Sequence, residues 1–196
     1  MQNRIMKISA VLLAGGQSCR MGKEKGTLHF HGKPLWEIQL SLLRGLDPEE
    51  IFVSARTDPP WRPADVKFVP DDPPSRGPLS GLSAAVRQIR SDHLLAFAID
   101  MPFMDTNHLR FLCGEIEPSR GVVPVIGDRA EPLAAIYPVE ADVDFVAALS
   151  GSDFSLQGLT KRLVKAGKVR VIRVGKQEEH FYRNLNEPAD LDFTLS

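Results

Sequence analysis

A glycine-containing loop near the N-terminus carries the side chains of this sequence best suited to hold a charged ligand. Residues 13–25 read LAGGQSCRMGKEK and directly follow a short apolar segment. Glycines let a main chain approach a ligand closely and leave successive N–H groups free for phosphate oxygens. Arg20 and Lys25 add cations, the guanidinium suited to two-point contacts and the ammonium to a single point. The pattern predicts a loop that binds a triphosphate.

Two common phosphate-binding motifs do not fit this loop. A P-loop requires Gly-Lys-Ser/Thr before its helix, whereas Gly22 and Lys23 are followed by Glu24. The dinucleotide fingerprint G-x-G-x-x-G is absent as well. The simpler alternative is a tight turn with solvated lysines. The combination of glycines, Arg20 and Lys25 after an apolar strand disfavours that alternative.

A carboxylate, Asp100, ends another apolar run. The run 94–99 (LLAFAI) is too short for a buried helix and predicts a central strand. Open α/β sheets bind ligands beyond the carboxyl ends of their strands. Magnesium prefers hard oxygen ligands, often one or two carboxylates together with substrate phosphates. Asp100 therefore suits a metal–phosphate site, and the alternative is a turn or helix N-cap before Pro102.

The elements that must position these groups alternate between short apolar runs and helical patterns, which is typical of a mostly parallel sheet covered by helices. The sequence predicts an α/β fold, a single-domain three-layer αβα sandwich of Rossmann-like type spanning residues 1–196. Predicted strands cover 8–13, 51–53, 66–69, 94–99, 121–126, 132–137 and 169–174, with a turn at Gly127 and Asp128. Predicted helices begin at Pro34, cover 79–89, 140–149 and 156–166, and include a short last one from Pro188.

Composition excludes several classes of protein. The 196 residues carry a formal net charge of -1, which argues against coating nucleic acid or an anionic membrane. No apolar stretch approaches membrane-spanning length, and the first apolar run is expected to be a strand and not a signal peptide. Cys19 and Cys113 have no paired spacing, so a reducing, cytoplasmic location is expected. His29 and His31 would share one strand face, but no cysteine or acidic cluster accompanies them, and zinc is not expected.

The loop resembles the opening of the molybdenum cofactor guanylyltransferases, nucleotidyltransferases of the nucleotide-diphospho-sugar transferase fold. Their pattern is Leu-Ala-Gly-Gly, then Ser-x-Arg-Met-Gly and a Lys. Further blocks of the family match in order across roughly residues 8–191. These blocks are Lys33–Leu35, Asp71 six residues before Gly77–Gly81, Asp100–Phe103, Glu131–Leu133 and Asn184–Pro188.

The resemblance implies a set of nucleotide-binding residues. Asp100 is the implied magnesium ligand, and Arg20 and Lys25 join it in the implied catalytic set. Ser54 stands where the family often has Asn, so its hydrogen bond has less reach, and Glu187 replaces a usual Thr. The implied nucleotide contacts are Leu13, Ala14, Gly15, Gly16, Lys25, Ser54, Asp71 and Asp100.

Two of these positions have ordinary structural alternatives. Asp72 stands beside Asp71, and either carboxylate would suit a solvated loop; the family spacing to Gly77 favours Asp71. The segment Gly77–Gly81 predicts either simple helix entry, with Pro78 in the first turn, or a wall of the base pocket.

The implied reaction transfers GMP from GTP to a molybdopterin-type acceptor with Mg²⁺ and releases pyrophosphate. Leu13–Gly16 reads as in guanylyl-transferring relatives, whereas cytidylyl-transferring relatives tend to read Thr-Ala-Ala-Gly, so GTP is the expected nucleotide. Expected partners are GTP, the acceptor and, transiently, molybdoenzyme maturation proteins, without nucleic acid or membrane. A cytidylyltransferase, another nucleotidyltransferase acting on a phosphorylated acceptor, and a non-catalytic cofactor-delivery protein stay open. Retention of Asp100 and Lys25 favours an enzyme.

Overall fold

The strands of the computed structural model form one large sheet and one small hairpin. The structure describes residues 7–15, 24–71 and 75–185. Its strands are β1 (Ile8–Leu13), β2 (His29–Phe30), β3 (Lys33–Pro34), β4 (Ile51–Ala55), β5 (Lys67–Pro70), β6 (His93–Ala98), β7 (Gly121–Ile126), β8 (Arg129–Ala130), β9 (Ile136–Pro138) and β10 (Val169–Arg173). Its α-helices are α1 (Leu35–Arg44), α2 (Pro78–Val86), α3 (Thr106–Gly114), α4 (Asp142–Ser150) and α5 (Leu156–Lys165).

The eight-stranded sheet has the order β10-β7-β9-β6-β1-β4-β5, with β8 paired to β7 outside this path. Strands β6, β1, β4 and β5 run parallel to one another, and β10 runs parallel to β7. Only β8 and β9 run against their neighbours among the strands of this sheet that the structure describes. The predicted mostly parallel α/β fold is confirmed.

Helices cover both faces of this sheet. In β1, Leu12 joins the apolar cluster of one face, which includes side chains of α1 and α3. Its neighbours Val11 and Leu13 join the opposite cluster, together with α2, α4 and α5. Successive side chains of a strand point to opposite faces, so a strand buried on both faces is expected to be largely apolar. All six residues of β1 are buried, and all six of β6.

The second half of the chain departs from the prediction of a strand over 132–137. Pro132–Ala134 forms a 3-10 turn, and only Ile136–Pro138 pairs as β9. Pro132 has no N–H to donate, which disfavours a place inside a ladder. After the turn at Gly127, β8 is the strand that pairs back onto β7. Strand β9 then lies between β6 and β7, antiparallel to both.

Helix α3 was not predicted. Its sequence TNHLRFLCG mixes polar and apolar residues, and only His108, Leu109 and Leu112 are buried. The helix begins at Asp105, whose carboxylate accepts a hydrogen bond of 2.6 Å from the His108 N–H. An acidic N-cap of this kind was the signal available in the sequence.

The first helix and the histidine pair also differ in detail from the prediction. Pro34 ends β3 and caps α1, whereas it was expected in the first turn of the helix. His31 and Gly32 have φ angles of 50° and 78° and form the two-residue turn between β2 and β3. His31 is therefore not in a strand and shares no strand face with His29. The helix expected at Pro188 lies outside the described residues.

None of the helices within the described ranges is long and apolar enough to cross a membrane.

Gly121 at the start of β7 tests the seam between β7 and β9. A Cβ there would overlap the Ile136 main-chain oxygen and lie 2.8 Å from the Ile136 carbonyl carbon. Because backbone cannot give way as a side chain does, Gly121→Ala should lower the free energy of unfolding by about 2–3 kcal/mol in urea titrations. The control is Gly114→Ala in α3, where a Cβ meets nothing within 4 Å and stability should hold or rise. Equal stabilities of the two variants would contradict this account of the seam.

Candidate nucleotide-binding site

The carboxyl ends of four adjacent parallel strands, β6, β1, β4 and β5, form the edge on which the predicted site residues lie. Asp100 follows β6, Ala14 and Gly15 follow β1, and Asp71 follows β5. Main-chain hydrogen bonds continue past the strands and hold these ends in register. They run from Ile99 N to Leu13 O (3.2 Å), from Ala14 N to Ser54 O (2.9 Å) and from Asp71 N to Ala55 O (3.1 Å).

A cavity of about 210 Å³ opens between these strand ends and the start of α2. Three of the predicted nucleotide contacts, Leu13, Gly15 and Asp71, meet in its wall. Arg56 adds a cation to the same wall that the sequence did not single out. The full lining is Leu13, Gly15, Arg56, Asp71, Ser75, Gly77 and Pro78.

The Asp71 carboxylate is held by two hydroxyl groups. Ser54 Oγ donates to Oδ1 at 2.7 Å, and Ser75 Oγ donates to Oδ2 at 3.4 Å. Ser54 is fully buried, with 0% of its surface exposed, so its hydroxyl is committed to Asp71 in this structure. A direct contact of Ser54 with nucleotide stays a prediction. The observed role of its hydroxyl is to orient the carboxylate in the cavity wall.

The contact between Ser54 and Asp71 depends on two glycines, Gly15 and Gly81, whose missing side chains leave room for it. A Cβ on Gly81 would overlap Ser54 Oγ and approach Leu13 Cδ2 to 3.0 Å and Asp71 Oδ1 to 3.1 Å. A Cβ on Gly15 would approach Asp71 Oδ2 to 3.1 Å. Helix α2 therefore packs against the strand ends closely enough that only hydrogen fits at Gly81. The sequence placed Gly81 in a helix entry or pocket wall and did not predict this contact.

On the other side of β1, Lys25 and Asp100 form an ion pair. Lys25 Nζ lies 2.6 Å from Asp100 Oδ2, and the two side chains are 21% and 15% exposed. The Asp100 main-chain oxygen accepts a hydrogen bond of 2.8 Å from Leu185 N, which brings the C-terminal block of the chain to the site. Two of the three charged residues predicted as catalytic, Lys25 and Asp100, are thus in direct contact.

Trp61 anchors the turn that carries Lys25, and the sequence analysis missed it. Its indole N–H donates to Glu24 Oε1 at 3.1 Å, and its ring stacks on Trp36 with centroids 5.8 Å apart. A Cβ on Gly26 would lie 2.9 Å from the Trp61 ring. The sequence places Trp61 in a proline-rich surface loop. The available signal was the residue type, because the chain has only two tryptophans.

The donor set suits a metal ion shared with a substrate. In the described ranges no group of three or more His, Cys, Asp or Glu residues is placed to hold a metal ion. Asp100 offers one partly buried carboxylate, and Lys25 beside it offers a cation for a phosphate oxygen. One carboxylate completed by phosphate oxygens and water is a common magnesium environment.

A second cavity, of about 230 Å³, lies on the β7 side of Asp100. Its wall includes Ala98 and Met101, which flank Asp100 in sequence, and Asn184 from the C-terminal block. Glu131 also lines this cavity, and burial raises the pKa of its carboxyl group. Three predicted positions, Gly16, Arg20 and Asn186, lie outside the described residues.

The sequence model of the family described as MobA-like NTP transferase domain matches residues 10–171. The chain belongs to this family. The match covers most of the chain, including the strand ends, the whole lining of the first cavity and all of the second except Asn184. The resemblance inferred from the motifs is thereby confirmed. Nucleotidyltransferases of this family generally use a divalent metal ion.

Two relatives match the chain over nearly their whole length. A protein of Cereibacter sphaeroides named molybdenum cofactor guanylyltransferase is 31% identical over 193 residues, covering 95% of this chain and 94% of its own. A protein of the same name from Syntrophotalea carbinolica is 30% identical over 190 residues, covering 94% and 89%.

A solved structure confirms the fold of the MobA-like domain. Molybdopterin-guanine dinucleotide biosynthesis protein A from Archaeoglobus fulgidus superimposes with a TM-score of 0.73 at 23% identity. The superposition covers 94% of this chain and 95% of that one.

The Ser54 hydroxyl provides a test of the cavity that does not require turnover. Ser54→Ala removes the shorter of the two hydrogen bonds to Asp71, and hydrogen bonds to charged groups contribute about 1.5–3 kcal/mol. GTP binding measured by calorimetry should therefore weaken by about tenfold or more. The control is Ser83→Ala, because Ser83 is equally buried but its Oγ has no partner among the described residues. Similar GTP affinities of the two variants would exclude Ser54 as a positioning residue.

Proposed function

We propose that the protein transfers GMP from GTP to a molybdopterin-type acceptor, giving the guanine dinucleotide form of the cofactor and pyrophosphate. The observation that carries the proposal is the Lys25–Asp100 pair at the carboxyl ends of the central strands, beside the loop that begins at Leu13. End-to-end similarity to proteins named molybdenum cofactor guanylyltransferase supports the choice of acceptor and nucleotide.

The reaction needs one displacement at phosphorus. An oxygen of the acceptor's terminal phosphate attacks the α-phosphorus of GTP, and the bond from that phosphorus to the bridging oxygen breaks. The electron pair leaves with pyrophosphate, so no covalent enzyme intermediate is required. Lys25, with Arg20 and the amides of the loop that includes Ala14, Gly15 and Gly16, offsets charge that develops on the bridging oxygen. Positioning and fixed charges supply most of the catalysis in such a step.

Asp100 is the residue proposed to hold Mg²⁺, which when bound neutralises charge on the triphosphate. The Asp100 carboxylate is paired with the Lys25 ammonium group. Asp100 would hold the metal ion, and Lys25 would bind a phosphate oxygen of the triphosphate. Both partly buried charges would thereby keep a partner of opposite charge, which avoids the cost of leaving a buried charge unpaired.

Recognition of the base is assigned to the cavity that contains Gly15 and Asp71. A carboxylate has two acceptor oxygens, and guanine presents two neighbouring donors, N1–H and the 2-amino group. Ser54 and Ser75 fix the Asp71 carboxylate from behind. Leu13 contributes an apolar contact, and the absence of a Cβ at Gly15 leaves room for a purine ring.

The wider assignments rest on sequence. Residues 1–196 are proposed to form a single nucleotidyltransferase domain that acts in the cytoplasm and hands its product to molybdoenzyme maturation proteins. The near-neutral net charge of -1 and the absence of a paired cysteine spacing support an enzyme of small metabolites in a reducing compartment.

Product analysis tests the proposed function. Incubation with Mg²⁺, molybdopterin and either GTP or CTP should release pyrophosphate and yield a guanine dinucleotide identified by mass. We expect kcat/KM for GTP to exceed that for CTP by at least about tenfold, because the carboxylate loses one donor with cytosine. A ratio below one would favour a cytidylyltransferase. Tight nucleotide binding without product would favour a cofactor-delivery protein.

Asp100→Asn tests the metal assignment. A neutral amide is a poor magnesium ligand, so turnover at saturating Mg²⁺ should fall by about a hundredfold. GTP binding without metal should be unimpaired, because the variant removes a negative charge from the triphosphate site. The control is Asp105→Asn, which removes a nearby charge while asparagine still caps α3. Near-normal turnover of a folded Asp100→Asn protein at low Mg²⁺ would show that Asp100 is not the ligand.

A further inference from the structure

The second cavity lies where an acceptor bound next to the nucleotide would have to be. Ala98 and Met101 in its wall bracket Asp100 along the chain, and Asn184 precedes the residue whose N–H binds the Asp100 main-chain oxygen. The first cavity lies beyond β1 on the opposite side of the Lys25–Asp100 pair. The two cavities therefore flank the position assigned to the reacting phosphates.

Hydrogen bonds to the main chain on both sides of Glu131 hold this wall of the second cavity. Glu131 N–H donates to Pro124 O at 2.8 Å, and Glu131 O accepts from Ala134 N at 3.1 Å. The side-chain amide of Gln157 donates to Ala130 O at 2.7 Å and accepts from Ala130 N at 3.3 Å. Glu131 is thus presented from a fixed backbone and not from a mobile loop tip.

The Glu131 carboxylate has no hydrogen bond or ion pair with any residue in the described ranges, although the residue is half-buried. Burial raises its pKa, and the neighbouring Arg129, which is exposed, only partly opposes that rise. A desolvated carboxylate without donors is costly, and a ligand that brings two N–H groups would satisfy it. The cavity also offers an apolar surface from Met101 and Leu133 for a flat ring.

We propose that Glu131 binds the 2-amino-4-oxopyrimidine edge of the acceptor's pterin, accepting from its N3–H and its 2-amino group. This inference rests on the proposed function for the identity of the acceptor. The same donor pair occurs on guanine, for which Asp71 provides the carboxylate in the first cavity. A pterin ring against Glu131 directs its phosphate-bearing substituent past Ala98 and Met101 toward Asp100. Glu131 is a specificity-determining residue that contacts the acceptor away from the reacting atoms.

Binding of two simple rings tests this role without turnover. The probes are pterin and lumazine, which differ in that lumazine has an oxo group where pterin has the 2-amino donor. Fluorescence titration of each ring should show the native protein binding pterin more tightly by at least about tenfold. Glu131→Gln, which is isosteric but replaces one acceptor oxygen by a donor, should abolish this preference. Asp128→Asn, a charge removal in the exposed turn of the same hairpin, should keep it.

Steady-state kinetics provides the second measurement. Glu131→Gln should raise KM for molybdopterin by about tenfold while KM for GTP and kcat stay within about twofold, as expected for a contact remote from the reacting atoms. Equal binding of the two rings, no binding of either, or a native pterin preference in Glu131→Gln would each overturn the assignment. If GTP and molybdopterin give no product but the pterin preference depends on Glu131, the proposed reaction fails while the ring site stands. If product forms normally but the pterin preference does not depend on Glu131, the assignment of Glu131 fails while the proposed reaction stands.

Discussion

The burial of β1 on both faces, with a hydrogen-bonded neighbour on each edge, is the constraint on which the candidate site depends. Pairing with β6 on one side and β4 on the other aligns the carboxyl ends of three strands at one edge. Pairing of β5 with β4 then adds Asp71, so that Asp100 and Asp71 lie on either side of the loop that begins at Leu13. A shift of the strand pairing by one residue would turn the side chains at the strand ends to the opposite face of the sheet.

Both carboxylates of the candidate nucleotide site have partners among neighbouring side chains. Lys25 neutralises Asp100, and two serine hydroxyls satisfy Asp71, so neither carboxylate lacks a partner. Glu131 differs, because it is half-buried without such a partner among the described residues. Two of the three carboxylates are thus held by side chains of the protein, and the third is the one to which we assign the pterin edge of the acceptor.

The sequence predicted the parts of this structure that depend on one segment at a time. The largely apolar runs of β1 and β6 indicated buried strands, and the alternation of such runs with helical patterns indicated a mostly parallel sheet; the strand order was not predicted. The contact between Ser54 and Asp71 depends on the register of two strands, and the closeness of Gly81 to both depends on helix packing, so neither could be seen in a local pattern. Helix α3 was missed because its buried stripe is narrow. Strand β9 was misplaced because a long-range pairing, and not local periodicity, defines it.

The position of β9 has a consequence for how the sheet assembles. Strand β9 follows β7 in the chain, yet it lies between β6 and β7 and meets β7 through the single residue pair Val122 and Ile136. Strands β7 and β10 therefore cannot join the part of the sheet formed by β6, β1, β4 and β5 until β9 lies between β6 and β7. Pairing of β9 with β6 joins residues far apart in sequence, such as Leu95 and Ile136. The chain entropy lost in closing such a loop precedes the favourable contacts, which slows folding. Glu131 and Pro132 lie between β8 and β9, so we expect this wall of the second cavity to form only when β9 pairs with β6 and β7.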